Sequence, residues 1–230
     1  MTIDSLDDIL PFVEKPSRYL GSEINIVRKD LDRVKLRFAL AFPDLYEIGT
    51  SHFGMQILYH ILNAEPNIAA ERVFAPGMDM ETILRNTGRP LFSLESRESI
   101  RRFDIIGFSL LYELNYTNIL TVLDLAKIPF LAAERRLNHP LIIAGGPCTS
   151  NPEPIAEFFD AIVVGDGENV VLKMAGVWLR WNWRIGQIGA PVSAHEPGDK
   201  SYRPDKIDIP GCSPVKPPTV AGHGRVYQMG

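Results

Sequence analysis

At 230 residues the chain is long enough to bury a sizeable apolar core, and its 45% hydrophobic and 23% charged content is that of a globular protein rather than a disordered or fibrous one. A formal charge of -4 excludes the generally basic face that nucleic acid or an anionic membrane surface would require. No apolar run reaches the length of a membrane span, and the opening MTIDSLDDIL is acidic where a secretion signal is basic and then apolar, so a cytoplasmic location is expected.

The predicted elements begin with a mixed arm, residues 1–32. Leu6 to Val13 has the pattern of a short helix ended by Pro16, and Arg18 to Asn25 reads as extended. Val34 to Phe42 (VKLRFALAF) then becomes continuously apolar, as a strand buried on both faces does. His52 to Leu62 follows with helical apolar spacing at Phe53, Ile57, Leu58, Ile61 and Leu62. A strand at Glu71 to Ala75, a helix at Met78 to Arg85 and a weak strand at Leu91 to Leu94 come next. Asp104 to Leu111 (DIIGFSLL) has the composition of a central strand, and Tyr116 to Ala126 that of its helix. Leu141 to Ala144 is a buried strand stopped by Gly145-Gly146-Pro147. Pro154 to Phe159 reads as a short helix, Ala161 to Val164 as a strand, and Glu168 to Ala175 as a helix opening after Gly167.

Strands alternating with helices imply right-handed crossovers and an α/β, doubly wound (Rossmann-like or flavodoxin-like) parallel sheet over residues 33–176, with helices on both faces. From about Val177 the periodicity fades. The cluster Trp178, Trp181 and Trp183 reads as an exposed surface, and Pro197 to Gly230 is expected to be largely extended or disordered, so residues 177–230 are predicted to form an irregular C-terminal tail.

In a doubly wound sheet, ligands sit beyond the carboxyl ends of the strands. The loops leaving those ends hold Asp44, Tyr46 and Gly49, then Ser109 and Leu111, then Gly145 and Gly146, then Gly165, Asp166, Gly167 and Glu168. Glycines let a backbone turn or approach a bulky ligand closely, and each alone is explained by a turn. Four sets on one sheet edge, with Ser109 and Glu168 among them, point to a binding site. Asp166 and Glu168 could equally cap the helix that follows. His52 and His60 fall inside the predicted helix and read as surface or packing residues. Two cysteines, Cys148 and Cys212, are too few for a disulfide framework or a cluster-binding triad. Together with five histidines they show no zinc-site spacing. No catalytic or metal-ligating residue is assigned.

The order Asp44-x-Tyr46-x-x-Gly49, Ser109-x-Leu111 and Gly145-Gly146 resembles the cobalamin-binding signature DxHxxG…SxL…GG. The blocks FPDLYEIGTSHFGMQILYHILN, FDIIGFSLLYELNYTNILTVLDLAKIP and GGP…NPEP…GDGE resemble the N-terminal cobalamin (B12)-binding-like domain of an uncharacterised B12-binding radical SAM protein family. The resemblance covers roughly residues 16–175 and implies a cobalamin-type fold with the eleven strand-end residues as the cofactor site. Tyr46 stands where the signature has a histidine beneath cobalt, so a bound cobalamin is expected to lack a histidine lower ligand. The family's CxxxCxxC motif, which holds a [4Fe–4S] cluster for S-adenosylmethionine, is absent from this sequence. The resemblance therefore implies a domain truncated before its radical SAM barrel, not catalytic alone, with cluster and S-adenosylmethionine confined to that barrel. A separate barrel chain is the expected partner, with self-association through an uncovered docking face as a further expectation. Two other readings stay open: a nucleotide- or S-adenosylmethionine-binding module, for which no GxGxxG or GxxxxGK[ST] is present, and a ligand-free interaction domain.

Overall fold

The computed structural model of the chain describes residues 5–188, 212–215 and 225–229. Five strands form its parallel core: β1 (Leu36–Phe42), β2 (Ile68–Phe74), β3 (Ile105–Ser109), β4 (Leu141–Gly145) and β5 (Ala161–Val164). They lie in the order β2-β1-β3-β4-β5, so β3 is central, as its apolar composition requires. Two further strands, β6 (Cys212–Val215) and β7 (Arg225–Met229), pair antiparallel with each other, and β7 runs parallel to β5. The described stretches of the predicted tail beyond Ile188 are thus extended and paired within the sheet. The rest of that run lies outside the described residues, as does the side chain of Trp183.

Alternation along β1 shows why helices must cover both faces. Phe38, Leu40 and Phe42 point to one side, against the helices α2 (Phe53–Ala64) and α5 (Gly167–Ile188). Ala39 and Ala41 point to the other, against α3 (Met78–Thr87) and α4 (Tyr116–Leu125). On the first face Met55, Tyr59 and Leu62 of α2 meet Val170, Val171 and Met174 of α5 across Phe38 and Ile143. On the second, Met80, Leu84, Ile119 and Val122 cover Ile106 and Ile142. A four-residue helical turn, α1 (Tyr46–Gly49), joins β1 to α2. Among the described residues no helix is long and apolar enough to cross a membrane.

Several local expectations change on folding. Leu6 to Val13 forms only the 3-10 turn Leu10–Phe12, because Pro11, inside the predicted span, has no N–H to continue the ladder that Leu10 N–H to Leu6 O begins, and Pro16–Tyr19 forms another. Pro154 to Phe159 likewise tightens to a 3-10 helix, Glu153–Phe158. Leu91 to Leu94 makes no strand; only Phe92 bridges to Ser99, since Leu94 N–H donates to Arg72 O of β2 and Ser93 N–H to Glu98 O. Helix α5 runs past Val177 to Ile188 because Trp178 and Leu179 still pack against the apolar face that Val171 and Ala175 begin. Trp178 is therefore half-buried, and its ring lies 5.2 Å from that of Trp181.

The N-terminal arm is not free. Ile9, Val13 and Tyr19 are buried in the core, and polar groups tie the arm across the outer strand β2, an edge that would otherwise be open to other chains. At the centre is Arg72 of β2. Its Nε donates to Glu95 Oε1 at 2.7 Å and its backbone N–H to Glu95 Oε2 at 2.6 Å. Its other nitrogens reach Glu23 of the arm at 3.1 Å, and its guanidinium lies 5.2 Å from the Tyr59 ring centroid. Burial pushes the Glu95 carboxyl up to about 7, against the pull of Arg72. Arg72→Met would leave Glu95 buried with no cation, at an expected cost of about 3–5 kcal/mol in denaturant unfolding. A buried acid with a raised folded pKa loses stability as pH rises towards that pKa. Losing Arg72 raises it further, so the gap between variant and wild type should widen as pH passes 7.

Candidate functional site

The five parallel strands end on one edge, and there the face covered by α2 and α5 is hollow. The cavity measures about 500 Å³. Its walls are apolar, formed by Phe38, Leu40, Val163, Val170, Val171 and Met174, and its mouth is formed by the loops after β3, β4 and β5. Two glycines make the room. Gly107 and Gly145 lie on β3 and β4 at the positions that face the cavity beside Phe38 and Leu40 of β1. A Cβ on Gly107 would come within 2.9 Å of the Phe38 ring, whereas one on Gly145 would meet nothing within 4 Å. Gly145 is thus a notch in the cavity floor that a side chain would fill.

Of the eleven residues picked out by the sequence, Ser109, Leu111, Gly145, Gly146, Gly165, Asp166, Gly167 and Glu168 line this cavity. Ser109 sits beside Gly145 in the sheet register, and among the described residues its hydroxyl has no hydrogen-bond partner. The nearby hydroxyls are committed: Thr149 Oγ1 is 2.7 Å from Gly146 O and 2.8 Å from Val163 O, and Ser150 Oγ donates to Pro147 O. Asp166 and Glu168 are exposed at the mouth, and neither side chain caps α5 through a hydrogen bond among the described residues.

Asp44, Tyr46 and Gly49 are not brought to the cavity. Tyr46 turns towards the outer strand, where its hydroxyl donates to Glu23 Oε1 at 2.8 Å and its ring meets Phe74 edge-on. Gly49 is buried where a Cβ would lie 2.6 Å from the Phe74 ring. Asp44 Oδ1 accepts from its neighbour Leu45 N–H. Glu47, on the same segment, pairs with Arg18 and Lys15 of the arm. The arm therefore holds the Asp44–Gly49 part of the β1 loop away from the hollow.

His52 is the residue that sequence reasoning misplaced. It does not lie within α2 but caps it: its Nδ1 accepts from Met55 N–H at 3.2 Å, and its ring tilts against Phe42. It also lines the cavity. With the Nδ1 lone pair engaged, the neutral ring carries its proton on Nε2, leaving no free imidazole nitrogen to bind a metal. The signal was its place just before the periodic run, where a capping residue belongs. His60 is exposed on α2. Burial depresses the His52 pKa, so its contribution is present above its unfolded pKa and is lost as pH falls below that value. Cys148 is buried, and burial pushes its thiol pKa up, with the Glu113 charge adding to the effect and the Tyr116 hydroxyl opposing it. A raised thiol pKa suits packing rather than nucleophilic attack. Among the described residues no three His, Cys, Asp or Glu side chains gather as a metal site.

Two adjacent glycines should therefore respond differently to substitution. Gly146 has φ of 109°, and a Cβ there would lie 2.7 Å from Leu110 O. Gly146→Ala should cost about 1–3 kcal/mol in thermal or denaturant unfolding. Gly145→Ala should leave stability within about 1 kcal/mol of wild type.

The family described as "Radical SAM proteins, N-terminal" matches residues 54–187, which is more than half of the chain. An uncharacterized protein of Methanocaldococcus jannaschii is 29% identical over 141 residues, 59% of this chain and 26% of that protein. The match thus spans about a quarter of that relative's length. No solved structure matches the chain.

Proposed function

The chain belongs to the family of N-terminal domains of radical SAM proteins, and on that premise we propose that it is a cofactor-holding domain whose ligand is a corrinoid of the cobalamin type. The observation that carries this reading is the Gly145 notch in an apolar cavity at the strand ends, with the Ser109 hydroxyl, unpartnered among the described residues, beside it. An apolar portion of such a ligand needs this kind of wall and few polar contacts, while its amide-bearing rim would stay at the polar mouth. Gly145, Ser109 and Leu111 would hold the inserted portion, and the mouth residues Gly165 to Glu168 would border what remains outside. A bound corrinoid supplies a cobalt centre able to carry a methyl group or an electron.

The donor set suits a corrinoid whose cobalt takes no protein nitrogen. The Nδ1 of His52 is spent on the α2 cap, and the Tyr46 phenol is tied to Glu23 outside the cavity. The role of this chain's residues is then to bind, orient and exclude water. The [4Fe–4S] cluster and S-adenosylmethionine of the family's chemistry need three thiolates, and we assign them to a radical SAM barrel carried by a partner region or chain. A nucleotide in the same cavity is disfavoured. Among the described residues no Lys or Arg lines the cavity, and two carboxylates, Asp166 and Glu168, stand at the mouth, where a polyphosphate would be repelled.

Incubation with hydroxocobalamin, desalting and an absorbance spectrum test the reading. Wild type should retain corrinoid at near-equal stoichiometry, and Gly145→Leu, which fills the notch, should bind at least about tenfold more weakly with little change in unfolding temperature. A folded wild-type protein that stays colourless would overturn the corrinoid assignment.

A further inference from the structure

The apolar side chains left uncovered are not scattered. Beyond the N-terminal arm, seven large ones stand exposed among the described residues: Ile48, Phe53, Ile57, Met78, Tyr112, Leu114 and Phe130. All but Phe130 sit on segments that leave the carboxyl ends of strands. Met78 opens α3 after β2; Ile48 is in α1, and Phe53 and Ile57 lie in the first two turns of α2, both after β1; Tyr112 and Leu114 follow β3. Leu114 is 89% exposed, Met78 85% and Phe53 77%. With neighbouring strands about 4.8 Å apart, the five strand ends form a row roughly 20 Å long, so these side chains share one edge with the cavity mouth. Exposed apolar groups concentrated in this way mark an interaction surface.

Charge decides what kind of partner fits. Glu113 after β3, and Asp166 and Glu168 after β5, stand on the same edge with no ion pair among the described residues. The acidic groups there that are neutralised, such as Glu47, are neutralised by the arm. Two copies set edge to edge would press these carboxylates together, which opposes self-association through this surface. We propose that the edge formed by Phe53, Met78, Tyr112, Leu114 and the acidic groups beside them is the docking surface for a partner with an apolar centre and a basic surround, closing the cavity on assembly. In the proposed function, on whose partner half this inference rests, that partner is the cluster-bearing barrel. The surface does not depend on which ligand the cavity holds.

The probe is a synthetic amphipathic helix of leucine and lysine, about 18 residues long, with a leucine–glutamate peptide as control. Its binding is followed by fluorescence anisotropy, alongside sedimentation velocity of the protein alone. The expected result is a monomer that binds the lysine peptide and not the control. Affinity should fall about tenfold or more in Leu114→Glu/Phe53→Glu, fall in Glu113→Gln/Asp166→Asn, and weaken when salt is raised to about 0.5 M. Phe53, Glu113 and Leu114 are not among the cavity-lining residues, whereas Asp166 borders the mouth, so corrinoid retention is measured on each variant as a separate readout and Glu113→Gln alone carries the charge test. Binding indifferent to these substitutions or to charge sign would overturn the proposal, as would a dimer of the protein alone that Leu114→Glu/Phe53→Glu dissolves. A colourless wild type that still binds the lysine peptide at this edge would overturn only the corrinoid reading.

Discussion

All five central strands run in one direction, and nearly everything else about the molecule depends on that constraint. Parallel strands cannot be joined by tight turns, so each return crosses a face of the sheet as a helix or irregular segment. Every loop that leaves a strand's carboxyl end must then emerge on the same edge. Residues as distant in sequence as Ser109 and Glu168 become neighbours around one hollow, and so do the exposed Phe53, Met78 and Leu114. A site and a surface on the same edge follow from strand direction alone.

The hollow itself has a second cause. Strands buried on both faces normally fill their surroundings with branched or aromatic side chains, as β1 does with Phe38 and Leu40. Glycine at positions 107 and 145 breaks that rule on one face only. On the other face Phe108 and Ala144 pack normally beneath α4. The gap is therefore a local choice of residue inside an otherwise close-packed sheet. It sits where the covering helices α2 and α5 open towards the strand ends.

At the outer strand the same fold solves a different problem. Arg72 is held between a buried carboxylate, Glu95, and a carboxylate from the arm, Glu23. The arrangement fastens the arm over β2, and Tyr46 joins it through Glu23. A residue placed in the candidate site by sequence order is thus a member of a structural network. The Asp44–Gly49 loop follows the arm rather than the cavity, because hydrogen bonds to Glu23 and Arg18 are available there.

Much of the architecture was legible in the residues. The apolar run of β1, the composition of β3 and the glycine punctuation after β4 and β5 depend on local pattern, and local pattern is what a parallel, two-face-buried strand requires. Eight of the eleven strand-end residues were found for the same reason: strand ends in such a sheet share an edge. The remainder hung on contacts between segments far apart in sequence. Which way the β1 loop turns depends on Glu23, more than twenty residues earlier. Whether Leu91 to Leu94 pairs as a strand depends on how it meets Arg72 and Glu98. The role of His52 depends on the exact start of α2, and the length of α5 on whether Trp178 finds an apolar wall. The sequence determined strand order of composition, helix periodicity and the chemistry of the loops; only tertiary packing decided which of those loops face the hollow, because that is settled by side-chain partners no local pattern encodes.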